Sequence, residues 1–298
     1  MFFHLNQHQN SIWECWLSNA NGSYFLRFPR AAKSFPLNAH SSPDKENLVN
    51  IMAENIEGLD KKEHVRFIMD LIQRLIIHHG LWFAEVSHQH GHEKARQLFI
   101  DVVERSSAIH MKRLSKTLGF ALDDGLPTPL LEMDDQTLTA LRETIAKNWL
   151  VNDGVWFQSL EFTRGMNDAK RSNDSCWAQF SPVEAVSIKH FLGLEERPGL
   201  EGLKRALEFR LYSCINIQRI EFENERSLVL YMQDCRVQSA RKRKGLDDYP
   251  CKSGGLTEYT TFAEAIDPAI QTECIGCPPD KHPDEWYCAW RFTINEPE

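Results

Sequence analysis

The feature that most constrains this chain is a repeat inside it. Gly80-Leu81-Trp82-Phe83, then Gly91, Ala95 and Arg96, returns as Gly154-Val155-Trp156-Phe157, then Gly165, Ala169 and Lys170. Both copies read G-[LV]-W-F-x7-G-x3-A-[RK], with identical internal spacing. Such spacing predicts the same local structure twice, a helical hairpin. The glycine permits a sharp reversal and the alanine lets the next helix approach closely. The Trp-Phe pair, Trp82 and Trp156 included, is expected to fill the seam. A solenoid needs about three or more repeats to cover its own core. Two copies predict a compact helical bundle instead.

Apolar residues at three- and four-residue steps frame both copies. Val65, Ile68, Met69, Ile72, Leu75 and Ile76 lead into the first, and Leu138, Leu141, Ile145 and Trp149 lead into the second. Ser181-Pro182-Val183-Glu184 has the pattern of a helix start, with a Ser cap, Pro at the first position and Glu at the third. Leu200 to Cys214 reads as the last long helix. After Cys214 the period changes to two. Ile215 to Phe222 and Leu228 to Met232 predict a hairpin turning at Asn224-Glu225-Arg226. Short helices are expected over 236–244 and 258–266, and closing strands over 270–275 and 286–294. The fold class is α+β: an N-terminal helical bundle with a duplicated hairpin, then a small antiparallel four-stranded α+β domain. The expected boundaries are a poorly ordered extension at 1–55, the bundle at 56–199 and the α+β domain at 200–298. Met52 is an alternative start of translation.

A formal net charge of -8 argues against nucleic acid or anionic lipid as a partner. Arg241-Lys242-Arg243-Lys244 reads as a solvated helix end. No apolar run approaches the roughly 18 residues that span a bilayer, and the N-terminal residues lack a secretory pattern. The expected location is cytoplasmic, with the eight cysteines reduced.

In that setting clustered cysteines suggest a metal. Cys274 and Cys277 form a C-x2-C knuckle, Cys288 follows, and Cys251 precedes Lys252-Ser253-Gly254-Gly255. A knuckle plus two distant thiolates suits structural zinc, and equally iron or an iron–sulfur centre. Glu273 is an alternative ligand, and Cys235 a substitute for Cys251. A second group lies where a strand should end. There Cys235 is a candidate nucleophile, and Arg236 and Gln238 are candidate ligand-binding groups. Glu161 and Arg164, beside the second repeat, are expected to line the same junction, with Trp82 and Trp156 as apolar walls. No phosphate loop, dinucleotide fingerprint, zinc-protease helix or nucleophile elbow occurs, which removes support from ATP-dependent and simple dehydrogenase readings.

Glu273-Cys274-x2-Cys277 followed by Cys288-Ala289-Trp290-Arg291-Phe292-Thr293-Ile294 resembles the closing strands of the 4-vinyl reductase type of domain. That resemblance covers roughly the last 85 of the 298 residues. It implies a small, mostly aromatic or apolar ligand, and cysteines holding structural zinc beside its pocket. Cys274 stands where that family often has an acid, and the turn from Cys277 to Cys288 is longer. Asp153-Gly154-Val155-Trp156-Phe157, Asp234-Cys235-Arg236-Val237-Gln238, Asp248-Tyr249-Pro250-Cys251 and Cys277-Pro278-Pro279-Asp280 resemble a family of bacterial cytosolic proteins, chiefly from anaerobic lineages. More distantly the chain is similar to the L-2-amino-thiazoline-4-carboxylate hydrolases.

Three functions are therefore expected in order. The first is a small-molecule-binding protein braced by zinc. The second is a hydrolase of a C–N bond in a small amino-acid-like heterocycle, with Cys235 or a metal-bound water as nucleophile. The third is a protein–protein adaptor that uses the bundle as its contact surface. A homodimer is an open option.

Overall fold

Strand β1 (Ile12–Asn19) pairs antiparallel with β2 (Gly22–Pro29), and Asn19 stands opposite Gly22. Both strands lie within residues 1–55, the segment expected as an extension. The structure is a computed structural model that describes residues 12–19, 22–29, 53–243, 245 and 248–295, with side chains from Ala53 onward. The remainder of the expected extension, and the side chains of the hairpin, lie outside the described residues.

Helix α1 (Lys61–His90) opens on a reciprocal cap. The Glu63 N–H donates to Asp60 Oδ1 at 2.9 Å, and the Asp60 N–H donates to Glu63 Oε2 at 3.0 Å. Two orphan donors are satisfied at once. The chain divides into two compact units, Met1–Ile77 and His78–Glu298. The boundary expected at residues 199/200 falls inside the second unit, because its helices pack directly on its sheet layer.

In that second unit α2 (His92–Leu118) is followed by the two-residue strands β3 (Leu122–Asp123) and β4 (Leu126–Pro127). Asp124 and Gly125 both take positive φ between them, the backbone that a tight hairpin turn demands. Then come α3 (Thr128–Leu131), α4 (Asp135–Arg164) and α5 (Met166–Phe191), with Asp134 capping α4 through the Thr137 N–H at 2.7 Å. After α6 (Gly199–Glu208), β5 (Ile217–Asn224) and β6 (Ser227–Asp234) form a hairpin, and α7 (Arg236–Arg243) and α8 (Lys252–Ile266) precede β7 (Ile270–Gly276) and β8 (Cys288–Ile294). The antiparallel sheet has the order β5-β6-β8-β7.

The core lies between this sheet and helices α5, α6 and α8. Leu203 and Leu207 of α6, Phe262 and Ile266 of α8, Leu228 and Leu230 of β6, and Trp290 and Phe292 of β8 are all buried. Each such side chain contributes roughly 1.5–3 kcal/mol of burial energy. The helix α8 approaches β8 so closely that a Cβ on Gly255 would come within 2.6 Å of the Trp290 ring.

Two helical expectations are corrected. Pro182 does not start a helix but sits inside α5, where Ser181 and Glu184 are buried. A proline in a helix interior costs about 3 kcal/mol, and here the packing of α5 on the core sustains it. The helix expected over Leu200 to Cys214 ends at Glu208, and a separate 3-10 turn follows at Leu211–Cys214. Among the described residues no helix is long and apolar enough to cross a membrane.

Candidate functional site

Each repeat forms the hairpin that its spacing predicts. Gly91 and Gly165 reverse the chain with nearly the same backbone, φ 86 and ψ 155 against φ 91 and ψ 166. Ala95 and Ala169 are buried at corresponding positions of the following helices. The seam, however, is filled by the phenylalanines. Phe83 packs edge-on against Phe99 at 5.8 Å, and Phe157 against Tyr249 at 5.4 Å. Trp82 and Trp156 point outward, 61% and 65% exposed. Successive helical residues lie about 100° apart, so a Trp-Phe pair sends only one ring into a seam.

Where α5, α8 and the 211–214 turn meet, a cation is buried. Arg210 is 2% exposed. Its Nε donates to Glu184 Oε2 at 2.9 Å, and its Nη2 lies 2.8 Å from Glu258 Oε1. Glu184 Oε1 accepts the Leu211 N–H at 2.9 Å. The rings of Phe262, Tyr259 and Tyr212 lie 4.6, 5.3 and 5.8 Å from the guanidinium. Burial works against the Arg210 charge, yet Glu184 and Glu258 hold its pKa above the ordinary value. Burial also pushes the Glu258 carboxyl up to about 7, against the pull of Arg210.

More titratable groups adjoin this ion cluster. Lys170 lies 3.2 Å from Asp174 and 5.0 Å from the Tyr249 ring centre. Asn173 donates to Asp153 at 3.3 Å, and burial raises the Asp153 carboxyl although Lys170 opposes it. The start of α8 fits against this group because residue 254 is glycine; a Cβ there would sit 3.1 Å from Asp174 Oδ1. Burial, together with the charges of Glu258, Cys235, Asp153 and Cys251, pushes the Tyr212 hydroxyl well up.

The sequence-predicted residues occupy several places. The Gln238 amide is buried and committed to the chain: Nε2 donates to the Tyr249 carbonyl at 2.8 Å and to Cys251 Sγ at 3.2 Å, and Oε1 accepts the Tyr249 N–H at 2.8 Å. It clamps the 238–251 segment and leaves little for a ligand. The Arg236 side chain is exposed, and its backbone N–H donates to Asn216 at 2.9 Å. Arg164 is exposed at the end of α4, whereas Glu161 is half-buried within electrostatic range of Tyr249. Burial pushes the Cys235 thiol up to about 12 against the N–H groups of Gln238 and Val237. A nucleophilic cysteine needs the opposite shift.

Of the four candidate metal ligands, Cys251, Cys274 and Cys277 each lie within electrostatic range of Cys288. Cys288 is hydrogen-bonded to Cys277, which with burial raises its thiol well above the usual range. Cys251 instead meets Gln238, and Cys274 is pushed up by burial with Lys252 opposing. Glu273 pairs with Arg291 at 2.7 Å. Among the described residues no three His, Cys, Asp or Glu side chains are placed to hold a metal ion.

Arg210 and Glu258 were not among the expected site residues, Lys170 was read only as the last position of the repeat, and Glu184 was expected as a helix cap. The available signal was Glu258, four residues before Phe262 and eight before Ile266 on the apolar face of helix α8. Its folded pKa near 7 lies above the ordinary 4.5, so the folded state binds more protons between those values. The stabilisation is full below pH 4.5 and is lost as pH rises through 7. Glu258→Gln is expected to flatten this fall, as urea unfolding across the window will show; an unchanged slope would assign the proton elsewhere.

The fold and site define an α+β protein in which α5, α6 and α8 share one core with a four-stranded antiparallel sheet, beside a buried ion cluster. A family model described as a family of unknown function, DUF6125, matches residues 57–133 and 131–294. The chain belongs to that family. No curated protein and no solved structure matches it.

Proposed function

We propose that the protein is an assembly module, the adaptor among the readings open to the sequence. The observation that carries this is the solvent face of α4. Ile145, Val151, Val155, Trp156 and Phe162 are between 56% and 65% exposed on one helix. Exposed apolar patches beyond a few hundred Å² mark interaction surfaces. The other side of α4 is anchored, since Ala146 is buried and Phe157 meets Tyr249 at 5.4 Å. A rigid scaffold thus presents the uncovered face.

Trp156→Glu tests the reading. At concentrations where the chain is a single copy, its melting temperature is expected to match the wild type, because an exposed ring stabilises little. A fall of several degrees under those conditions would make Trp156 a core residue and remove the docking face.

A second reading, the small-molecule-binding one implied by the resemblance to the 4-vinyl reductase type of domain, draws support from the group around Lys170, Asp153 and Glu258. Perturbed titratable groups gathered at one place are candidate sites. It ranks behind because the polar groups there face one another.

A further inference from the structure

Resting on that docking reading, we propose that the occupant of the α4 face is a second copy of this chain, held antiparallel through a self-complementary heptad seam. Leu138, Ile145 and Asn152 fall seven residues apart, as do Asn148, Val155 and Phe162. With half-buried Leu141 and exposed Ser159 at the intervening positions, the two series interleave at three- and four-residue steps, the spacing of a coiled-coil seam. All six are at least 36% exposed. The period is that of a helix pairing with another helix, displayed on the side of α4 that faces solvent.

The order of residues along the seam selects the partner. Apart from Leu141 and Ser159, the seam reads the same in both directions about Leu150. Turned end to end on a second copy, Leu138 meets Phe162, Ile145 meets Val155, and Asn148 meets Asn152. Each of these apolar positions then faces an apolar one and each amide faces an amide, while Leu141 falls opposite Ser159. A two-fold interface requires this reciprocity, with residue i on j and j on i. A parallel pairing of identical helices puts each residue on itself and draws nothing from the palindrome. Paired Asn residues at a seam also fix register and the number of strands.

Charge and area agree. The seam positions and the flanking Val151 and Trp156 carry no charge, so two copies meet without repulsion and a charged partner finds nothing to pair with. At about 150–250 Å² for a large aromatic side chain, the uncovered apolar area of α4 is on the order of 600–700 Å². Each partner in a standard interface brings about 800 Å².

Sedimentation equilibrium of the full chain tests the proposal. The expected mass rises with concentration to twice the chain mass of 34.5 kDa. Asn148→Lys alone and Asn152→Asp alone are each expected to weaken the dimer at least tenfold. The double variant restores it, because each new Lys faces the Asp of the other copy. A single-chain mass at every concentration overturns the second copy as occupant, and the docking face itself survives if Trp156→Glu still melts like the wild type. A dimer that ignores both single variants overturns the seam. A double variant weaker than either single one overturns the antiparallel register, since parallel pairing would set like charges together.

Discussion

Replacing Arg210 with alanine is expected to lower the stability of the second unit by about 3–5 kcal/mol, the loss seen when one partner of a buried ion pair is removed. Glu184 and Glu258 would remain without their cation, in a place where Arg210 is 2% exposed and Glu258 is buried. The penalty comes from two stranded carboxylates more than from one missing bond. It should therefore shrink in acid, where both can take up protons, and grow above pH 7. For a unit of this size each kcal/mol moves the melting temperature by roughly 2–4 °C. Arg210→Lys keeps the charge but loses the fork that reaches both acids, and is expected to fall between. Urea unfolding at pH 5 and pH 8 measures all three proteins. A loss below about 1 kcal/mol for Arg210→Ala would show that the acids are relieved by another group.

The second large effect concerns assembly. Val155→Glu with Phe162→Glu places charge at two seam positions, and two-fold symmetry doubles the change. Burying a Val or Phe side chain is worth roughly 1.5–3 kcal/mol, so four lost burials remove at least about 4 kcal/mol of association energy. That is about a thousandfold in dissociation constant. The folded single chain should keep its near-ultraviolet dichroism, because both side chains are more than half exposed on α4. Loss of the dichroism along with the dimer would place these residues in the fold of one chain.

How far the sequence speaks depends on the range of the interaction. The two hairpins were legible because local spacing sets them, and Gly91 and Gly165 indeed share one backbone conformation. The alternation after Cys214 gave the sheet and its first hairpin for the same reason. The orientation of each Trp-Phe pair was not legible: the pattern carries two adjacent rings, and contacts with Phe99 and Tyr249 decide which turns inward. Pro182 shows the same limit, since a local helix-start signal is overridden by the packing of α5. The Arg210 cluster joins residues far apart in the chain, with Glu184 and Glu258 on different helices, and no periodicity announces that. The cysteines were read as a ligand set from spacing alone, whereas the folded chain gives Cys251 to Gln238 and Cys288 to Cys277.

Whether a second copy covers α4 can be read directly by cross-linking between chains. Chains carrying a photoreactive residue in place of Asn148 are mixed with isotope-labelled wild-type chains, irradiated, digested and mapped by mass spectrometry. The predicted product joins the probe to labelled peptide around Asn152, one chain to another. Adducts found only within the probe-bearing chain would assign the cover of α4 to its own residues and contradict the account.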